Sequence, residues 1–131
     1  MADLEAVQLE QRDTDDGYTY SLAIRAGNLL FCSGTIGTKG QAAVPADPAE
    51  QFTLAFQHLD AVLAAACATF ADVVEITSFH VGLNEHLATF AEVKARFLRK
   101  PYPAWTAVGV AELGIPGALV EIKATAVLPT S

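Results

Sequence analysis

Leu119-Val120-Glu121-Ile122-Lys123-Ala124-Thr125-Ala126-Val127-Leu128 sends Val120, Ile122, Ala124 and Ala126 to one side and Glu121, Lys123 and Thr125 to the other. Alternation of this kind marks a strand with one face in a core and one face outside it. Upstream, Pro103-Ala104-Trp105-Thr106-Ala107-Val108-Gly109-Val110 carries no charge on either side and holds the only tryptophan of the chain. Leu29-Leu30-Phe31-Cys32 is likewise apolar on both sides. Strands apolar on both faces do not sit with one face in water. The closing strand therefore sets a sheet with a core side, and the other two segments ask for cover on its far side as well.

The rest of the chain says what supplies the core side. Residues Tyr18–Ile24 and Leu29–Ser33 are β-rich and flank Gly27-Asn28, a two-residue hairpin signal. A loop from Gly34 to Ala46 follows, and its glycine spacing matches neither a dinucleotide fingerprint nor a phosphate-binding loop. Asp47-Pro48-Ala49-Glu50 then opens a helix, with Asp47 as cap, Pro48 in the first turn and Glu50 closing a capping box. Phe52, Ala55, Phe56, Leu59, Val62, Leu63 and Ala66 recur at helical spacing and define its buried stripe. Asp72–Gly82 reads as a strand. A second helix starts near Asn84, buries Leu87, Phe90, Val93 and Phe97, and ends before Pro101. Two closing strands cover about Ala104–Glu112 and Leu119–Leu128.

The order of hairpin, helix, strand, helix and two strands is an α+β layout, one sheet with two helices on one face. Two helices cannot cover both faces, so a second copy of the chain is expected against the helix-free face. A single species at monomer mass in light scattering at micromolar concentration would overturn that expectation.

At 131 residues, 52% of them hydrophobic, the chain is read as one domain, 1–131, able to bury a core without staples. No apolar run is long enough to span a bilayer. The acidic start Met1-Ala2-Asp3-Leu4-Glu5 lacks a basic region followed by an apolar one, so no secretory signal is evident. Cys32 and Cys67 are expected as two buried thiols in a reducing cytoplasm. The net charge of −7 leaves eight Lys and Arg to build a basic face, which argues against nucleic acid as a partner. Four of those cations, Lys94, Arg96, Arg99 and Lys100, fall at the end of the second helix, where they complement its dipole.

Three constellations can carry chemistry. His58, His80 and His86 lie on three different elements without Cys, Asp or Glu at ligand spacing, so no metal is implied. His58, between Gln57 and Asp60, is expected to be solvated, and His80 to be a satisfied, half-buried strand residue. A nucleophile built on Cys32 or Ser33 needs an activating histidine that no motif brings to either, and the two point to opposite faces. The third set is Tyr20, Ser33-Gly34-Thr35, Trp105-Thr106 and Glu121. A Ser-Gly pair leaves backbone N–H groups approachable, and Glu121 can hold a water or act as a general base. The plainer reading of Glu121 is a solvated carboxylate paired with Lys123 or a cross-strand cation.

At these residues the chain resembles the RidA/YjgF family, long filed under the label endoribonuclease L-PSP. Ala26-Gly27-Asn28-Leu29-Leu30-Phe31-Cys32-Ser33-Gly34, the helix from Glu50 to Ala66, Asp72-Val73-Val74, Pro103-Ala104 and Val120-Glu121-Ile122-Lys123-Ala124 carry the likeness over nearly the whole chain. The resemblance implies a chorismate-mutase-like α+β fold (the Rid fold), with one mixed sheet and two helices on one face. It also implies a homotrimer with ligand clefts between subunits. Family members hydrolyse reactive enamines and imines to keto acids and ammonia without a cofactor. An arginine after the Pro-Ala pair holds the substrate carboxylate, and a glutamate on the last strand positions the attacking water. Glu121 matches that glutamate, Tyr20 a pocket tyrosine, and Ser33-Gly34 the cleft wall. The arginine's position is Trp105, with Thr106 beside it, and Pro-Ala-Trp-Thr-Ala-Val-Gly-Val looks like the arginine-lacking YjgH-type branch. Small Ala91 and Ala107 also stand where active members more often carry polar or thiol groups.

That replacement is chemically large. A bidentate Arg–carboxylate pair contributes about 1.5–3 kcal/mol, whereas indole offers one N–H donor and an apolar plane suited to a neutral, aromatic or cationic ligand. Arg25 and Lys123 are the candidates to replace the missing cation. Two functions from different classes follow. One is a cytoplasmic hydrolase acting on C=N bonds, with Glu121 orienting water and Tyr20, Ser33, Gly34, Trp105 and Thr106 binding a small molecule. The other is a non-catalytic small-molecule binding or chaperone-like module. Endoribonuclease activity ranks third because of the charge.

Overall fold

In the computed structural model, which describes residues 3–9, 19–40 and 43–129, nine elements follow the chain. Strands β1 (Leu4–Val7), β2 (Ala23–Ala26) and β3 (Leu29–Thr35) precede helix α1 (Pro48–Ala65). A 3₁₀ turn (Phe70–Asp72), β4 (Val73–His80), α2 (Leu83–Phe97), β5 (Ala104–Gly109) and β6 (Val120–Val127) complete it. Among the described residues these strands form one six-stranded sheet in the order β1-β2-β3-β6-β4-β5. Only β4 and β5 pair in parallel, joined by α2, so the sheet is mixed. The α+β reading with two helices and one sheet therefore holds.

Helix α1 forms where its start signals lie. Asp47 Oδ2 accepts the Glu50 N–H at 3.0 Å, and Pro48 occupies the first turn, where its missing donor costs nothing. The Glu50 side chain, read as the second half of a capping box, instead turns outward to Lys39 (2.6 Å). The expected stripe is buried at Phe52, Ala55, Phe56, Leu59, Val62 and Leu63, while Ala66 is half-buried as the C-cap. The chain leaves the helix through a Schellman pair, Ala68 N–H to Leu63 O and Cys67 N–H to Ala64 O. That geometry puts Cys67 at φ +59°, a conformation usually left to glycine.

On α2, Phe90 and Val93 are buried, and Leu87 and Phe97 are half-buried. The helices are welded by aromatic rings: Phe90 meets Phe52 edge-on at 5.4 Å and stacks on Phe56 at 5.6 Å, and Phe97 stacks on Phe56 at 5.1 Å. Phe52, Phe56 and Phe90 are inaccessible to solvent, and each such side chain contributes on the order of 2–3 kcal/mol by burial.

Beneath the helices lie Leu30 and Cys32 of β3, Ile76 of β4, and Val120, Ile122, Ala124 and Ala126 of β6, all buried. The opposite face of the sheet is open. Cross-strand pairs Leu29–Val127, Phe31–Thr125, Thr77–Lys123 and Phe79–Glu121 fix which side chains point there. Leu29, Phe31 and Val127 on this face are exposed, as is Leu4 of β1.

The differences from the sequence reading concern local ends. The first hairpin strand begins at Ala23, with Tyr18 outside the described residues; Thr19 and Tyr20 precede it as coil. The short β1, which the sequence reading missed, pairs antiparallel with β2. Met1 and Ala2 of the acidic start lie outside the described residues. Cys32 is buried as expected but Cys67 is exposed, because it sits in the helix-ending turn. Gln51, inside the apolar helix, is also buried: its amide donates to Pro45 O and Gly117 O and accepts the Leu119 N–H at 2.8 Å. It ties α1 to the loops on either side. No described helix is long and apolar enough to cross a membrane.

Candidate functional site

Glu121 and Trp105 lie on opposite faces of the sheet. Register decides this. Glu121 pairs with Phe79, and Thr106 and Val108 pair with Thr77 and Phe79, so all of them face the open side. Trp105 pairs with Ile76, whose neighbours Ser78 and His80 point with it toward the helices. Trp105 and Thr106, adjacent on one strand, consequently cannot line the same side of one protomer.

Glu121 is half-buried against the backbone of Gly34. A Cβ added at Gly34 would lie 2.6 Å from both Cγ and Cδ of Glu121, so the glycine is what lets the carboxylate lie there. The local cause is a register shift in β3 between Cys32, opposite Ala124, and Thr35, opposite Ile122. This bulge lifts Ser33-Gly34 out of the ladder with β6, a feature that often re-aims groups beside a site. Ser33 is tied elsewhere: its N–H donates to Leu22 O at 2.9 Å and its hydroxyl to Ser21 O at 2.6 Å. Tyr20, one residue before that anchored stretch, is 45% exposed. Glu121 has no described cation within ion-pair distance, so the plainer reading of a carboxylate paired with Lys123 is not what forms. Thr125 on the same face donates to Glu75 at 3.0 Å.

Trp105 sits at the sheet edge under α2. Its indole N–H donates to Ser78 Oγ at 2.9 Å, and the same oxygen lies 2.8 Å from His80 Nε2. Ser78 Oγ, already accepting from the indole, bonds His80 Nε2 either by donating its hydrogen or by accepting a second one. Nδ1 is buried and has no partner among the described residues. His80 is thus fully buried, edge-on to Phe90 at 4.6 Å, where a half-buried and satisfied residue was expected. Burial, with the His86 charge as the lesser cause, pulls its pKa below 6.5 and keeps the ring neutral. The indole also lies 6.0 Å from the Phe90 ring, and Lys94 Nζ sits 4.2 Å above it. Lys94 occupies the last turn of α2 as expected from its charge, but its side chain folds over the tryptophan.

Other groups find structural uses. His58, expected in solvent, is half-buried and donates to Thr38 O at 2.8 Å, fastening the loop after β3. Burial pushes the Cys32 thiol up to about 11, which leaves it an inert core residue. Among the described residues no cluster of His, Cys, Asp and Glu could hold a metal ion.

Arg25 and Lys123 do not stand beside Trp105. Arg25 is on β2, separated from β5 by three strands, and donates to Gly27 O. Lys123 points to the open face. The cation at the tryptophan is Lys94. Sequence reading missed it because it comes from a helix and meets β5 only in three dimensions. Its helical position was legible, but its partner was not.

The fold and these residues define a class: small one-sheet, two-helix proteins with a strand-borne glutamate beside a Ser-Gly bulge. The chain belongs to the Endoribonuclease L-PSP family, whose model matches residues 14–128. It is 43% identical over 113 residues to the RutC family protein YjgH of Escherichia coli K12, covering 86% of this chain and 85% of that protein. It is 34% identical over 111 residues to a 2-iminobutanoate/2-iminopropanoate deaminase of Dermatophagoides farinae, covering 83% and 85%. A solved structure of protein YjgH superposes with a TM-score of 0.88 at 40% identity, covering 97% of this chain and 98% of that one. The RidA/YjgF likeness and the YjgH-type character read from the sequence both hold.

Proposed function

We propose that this protein is a cytoplasmic hydrolase of reactive imines and enamines. It works in clefts between the subunits of a homotrimer. The observation that carries the reading is the Glu121 carboxylate laid over Gly34 at the β3 bulge, uncompensated by any described cation. An unpaired carboxylate at that place is free to take a hydrogen bond from water and, as the water adds to a C=N carbon, its proton. The new C–O bond moves the C=N electron pair to nitrogen. For a protonated imine this gives a neutral carbinolamine. Glu121 returns its proton to the amino nitrogen, C–N breaks as C=O forms, and the hydroxyl proton goes to the departing ammonia. Iminium and water thus become the carbonyl product and ammonium. The deaminase name of the Dermatophagoides relative supports the same chemistry.

Two features support assembly. Glu121 and Trp105 face opposite sides of one sheet, so they share a ligand only if two subunits contribute them. Strand β5 is an uncharged edge with Trp105 and Val108 both more than a third exposed, and unprotected edges of this kind are normally covered. Tyr20, Ser33, Gly34 and Thr106 line the cleft in this reading, with Trp105 from the neighbouring subunit.

The test is ammonia release from 2-iminobutanoate generated in place, with Glu121→Gln as the comparison. The rate should fall by about a hundred-fold or more; equal rates in the two proteins would sink the hydrolase. Trp105 in the arginine's place favours a second reading, ligand binding without turnover. In that case Trp105 fluorescence would respond to a small molecule while no imine is consumed.

A further inference from the structure

Lys94 is a cation without an anion. Its ammonium lies 4.2 Å above the Trp105 ring, and no carboxylate of the described residues is within ion-pair distance. Its helical neighbours at three and four residues, Phe90, Ala91, Phe97 and Leu98, are all apolar. Glu75, on the strand adjoining β5, turns to Thr125 on the opposite face of the sheet. The side chain is half-buried, and burial lowers its pKa. Among the described residues the other lysines and arginines are exposed, whereas Lys94 is both unpaired and partly desolvated. An ammonium carries three donors, and the ring beneath it takes none of them in full hydrogen bonds.

The indole beneath that ammonium is fixed. Its N–H is held by Ser78 Oγ, which His80 holds in turn, and Phe90 packs beside it. Trp105 still exposes 37% of its surface at the sheet edge. A charge therefore lies over one face of a positioned ring, and both are partly open to solvent in the protomer.

We infer that Lys94 and Trp105 together form a subsite for the carboxylate end of a small planar ligand, with Lys94 supplying the positive charge and Trp105 the surface beneath it. Ser78 and His80 are positioning residues for the indole. This deepens the cleft reading above and rests on Trp105 lining that cleft. It also assigns the ligand a negative charge, whereas tryptophan alone suits a neutral or cationic one.

The experiment compares 2-oxobutanoate with its uncharged methyl ester. Binding is measured by calorimetry and by the fluorescence of the only tryptophan, in the unmodified protein, Lys94→Gln and Lys94→Arg. The keto acid should bind more tightly than the ester and lose affinity as salt is raised. Lys94→Gln should weaken the keto acid by about ten-fold and leave the ester within about two-fold, with Lys94→Arg close to the unmodified protein. Equal keto-acid binding by Lys94→Gln, no preference for acid over ester, or no binding of either probe would each overturn the subsite. A change of oligomer mass in Lys94→Gln would also overturn it, by making Lys94 an assembly contact. Imine turnover measured alongside separates this from the hydrolase: Lys94-dependent carboxylate binding without turnover keeps the subsite and removes the hydrolysis. Turnover indifferent to Lys94 does the reverse.

Discussion

The two faces of this sheet are built on the same strands and behave as different materials. Under the helices every second residue of β6 is buried and apolar, and aromatic rings interlock from Phe52 to Phe97. On the open face the intervening positions carry Glu121, Lys123 and Thr125 among exposed Leu29, Phe31 and Val127. One face holds the core of the protomer, and the other leaves large apolar side chains exposed. Each of the two candidate groups belongs to one of these faces. Trp105 is fixed by core-side hydrogen bonds, while Glu121 depends on a missing Cβ in a bulge.

Substitutions on the core side should therefore cost stability, and those on the open side should cost function. Phe56→Ala removes a ring that touches Phe90, Phe97 and Phe70 and should destabilise the protein by about 3–5 kcal/mol in chemical denaturation. An effect below about 1 kcal/mol would break the comparison. Gly34→Ala should do the opposite. The atoms nearest its new Cβ are Cγ, Cδ and Oε2 of the Glu121 side chain, which can swing away, so stability should stay within about 0.5 kcal/mol. Imine hydrolysis should fall by about ten-fold or more as the carboxylate is pushed aside.

Smaller effects sharpen the picture at the margins. Cys67→Gly relieves the left-handed backbone at the end of α1 and should raise stability by about 0.5–1 kcal/mol, read as a higher Tm. The smallest effect belongs to His80. Its folded pKa lies below the unfolded 6.5, so at pH values between the two the unfolded chain takes up a proton that the folded one refuses. Stability should fall as pH drops through about 6.5 and level off below the folded value. In His80→Phe that part of the slope should vanish, as read from Tm against pH.

Most of the fold was legible because its periodicities are strong. The β6 alternation and the Asp47-Pro48 start of α1 are local signals, and both elements lie where they indicate. The four residues of β1 gave no such signal, since Leu4-Glu5-Ala6-Val7 is ordered by pairing with β2 and by little of its own. The site was legible in half. Glu121 stands out as an acid in a half-buried strand. The side chosen by Trp105 could not be read, because Ala104–Gly109 is uncharged on both faces and pattern distinguishes sides only by contrast. Its partners Ser78, His80 and Lys94 come from β4 and α2, and their approach is a property of packing.

The central claim is that one ligand site joins the Glu121 face of one subunit to the Trp105 edge of another. Chains carrying Glu121→Gln and chains carrying Trp105→Ala, each inactive in hydrolysis alone, can be unfolded, mixed in equal amounts and reassembled. Random mixing leaves about one cleft in four with both residues intact, so ammonia release should return to about a quarter of the unmodified level. Mixed oligomers that form but recover nothing would contradict the account.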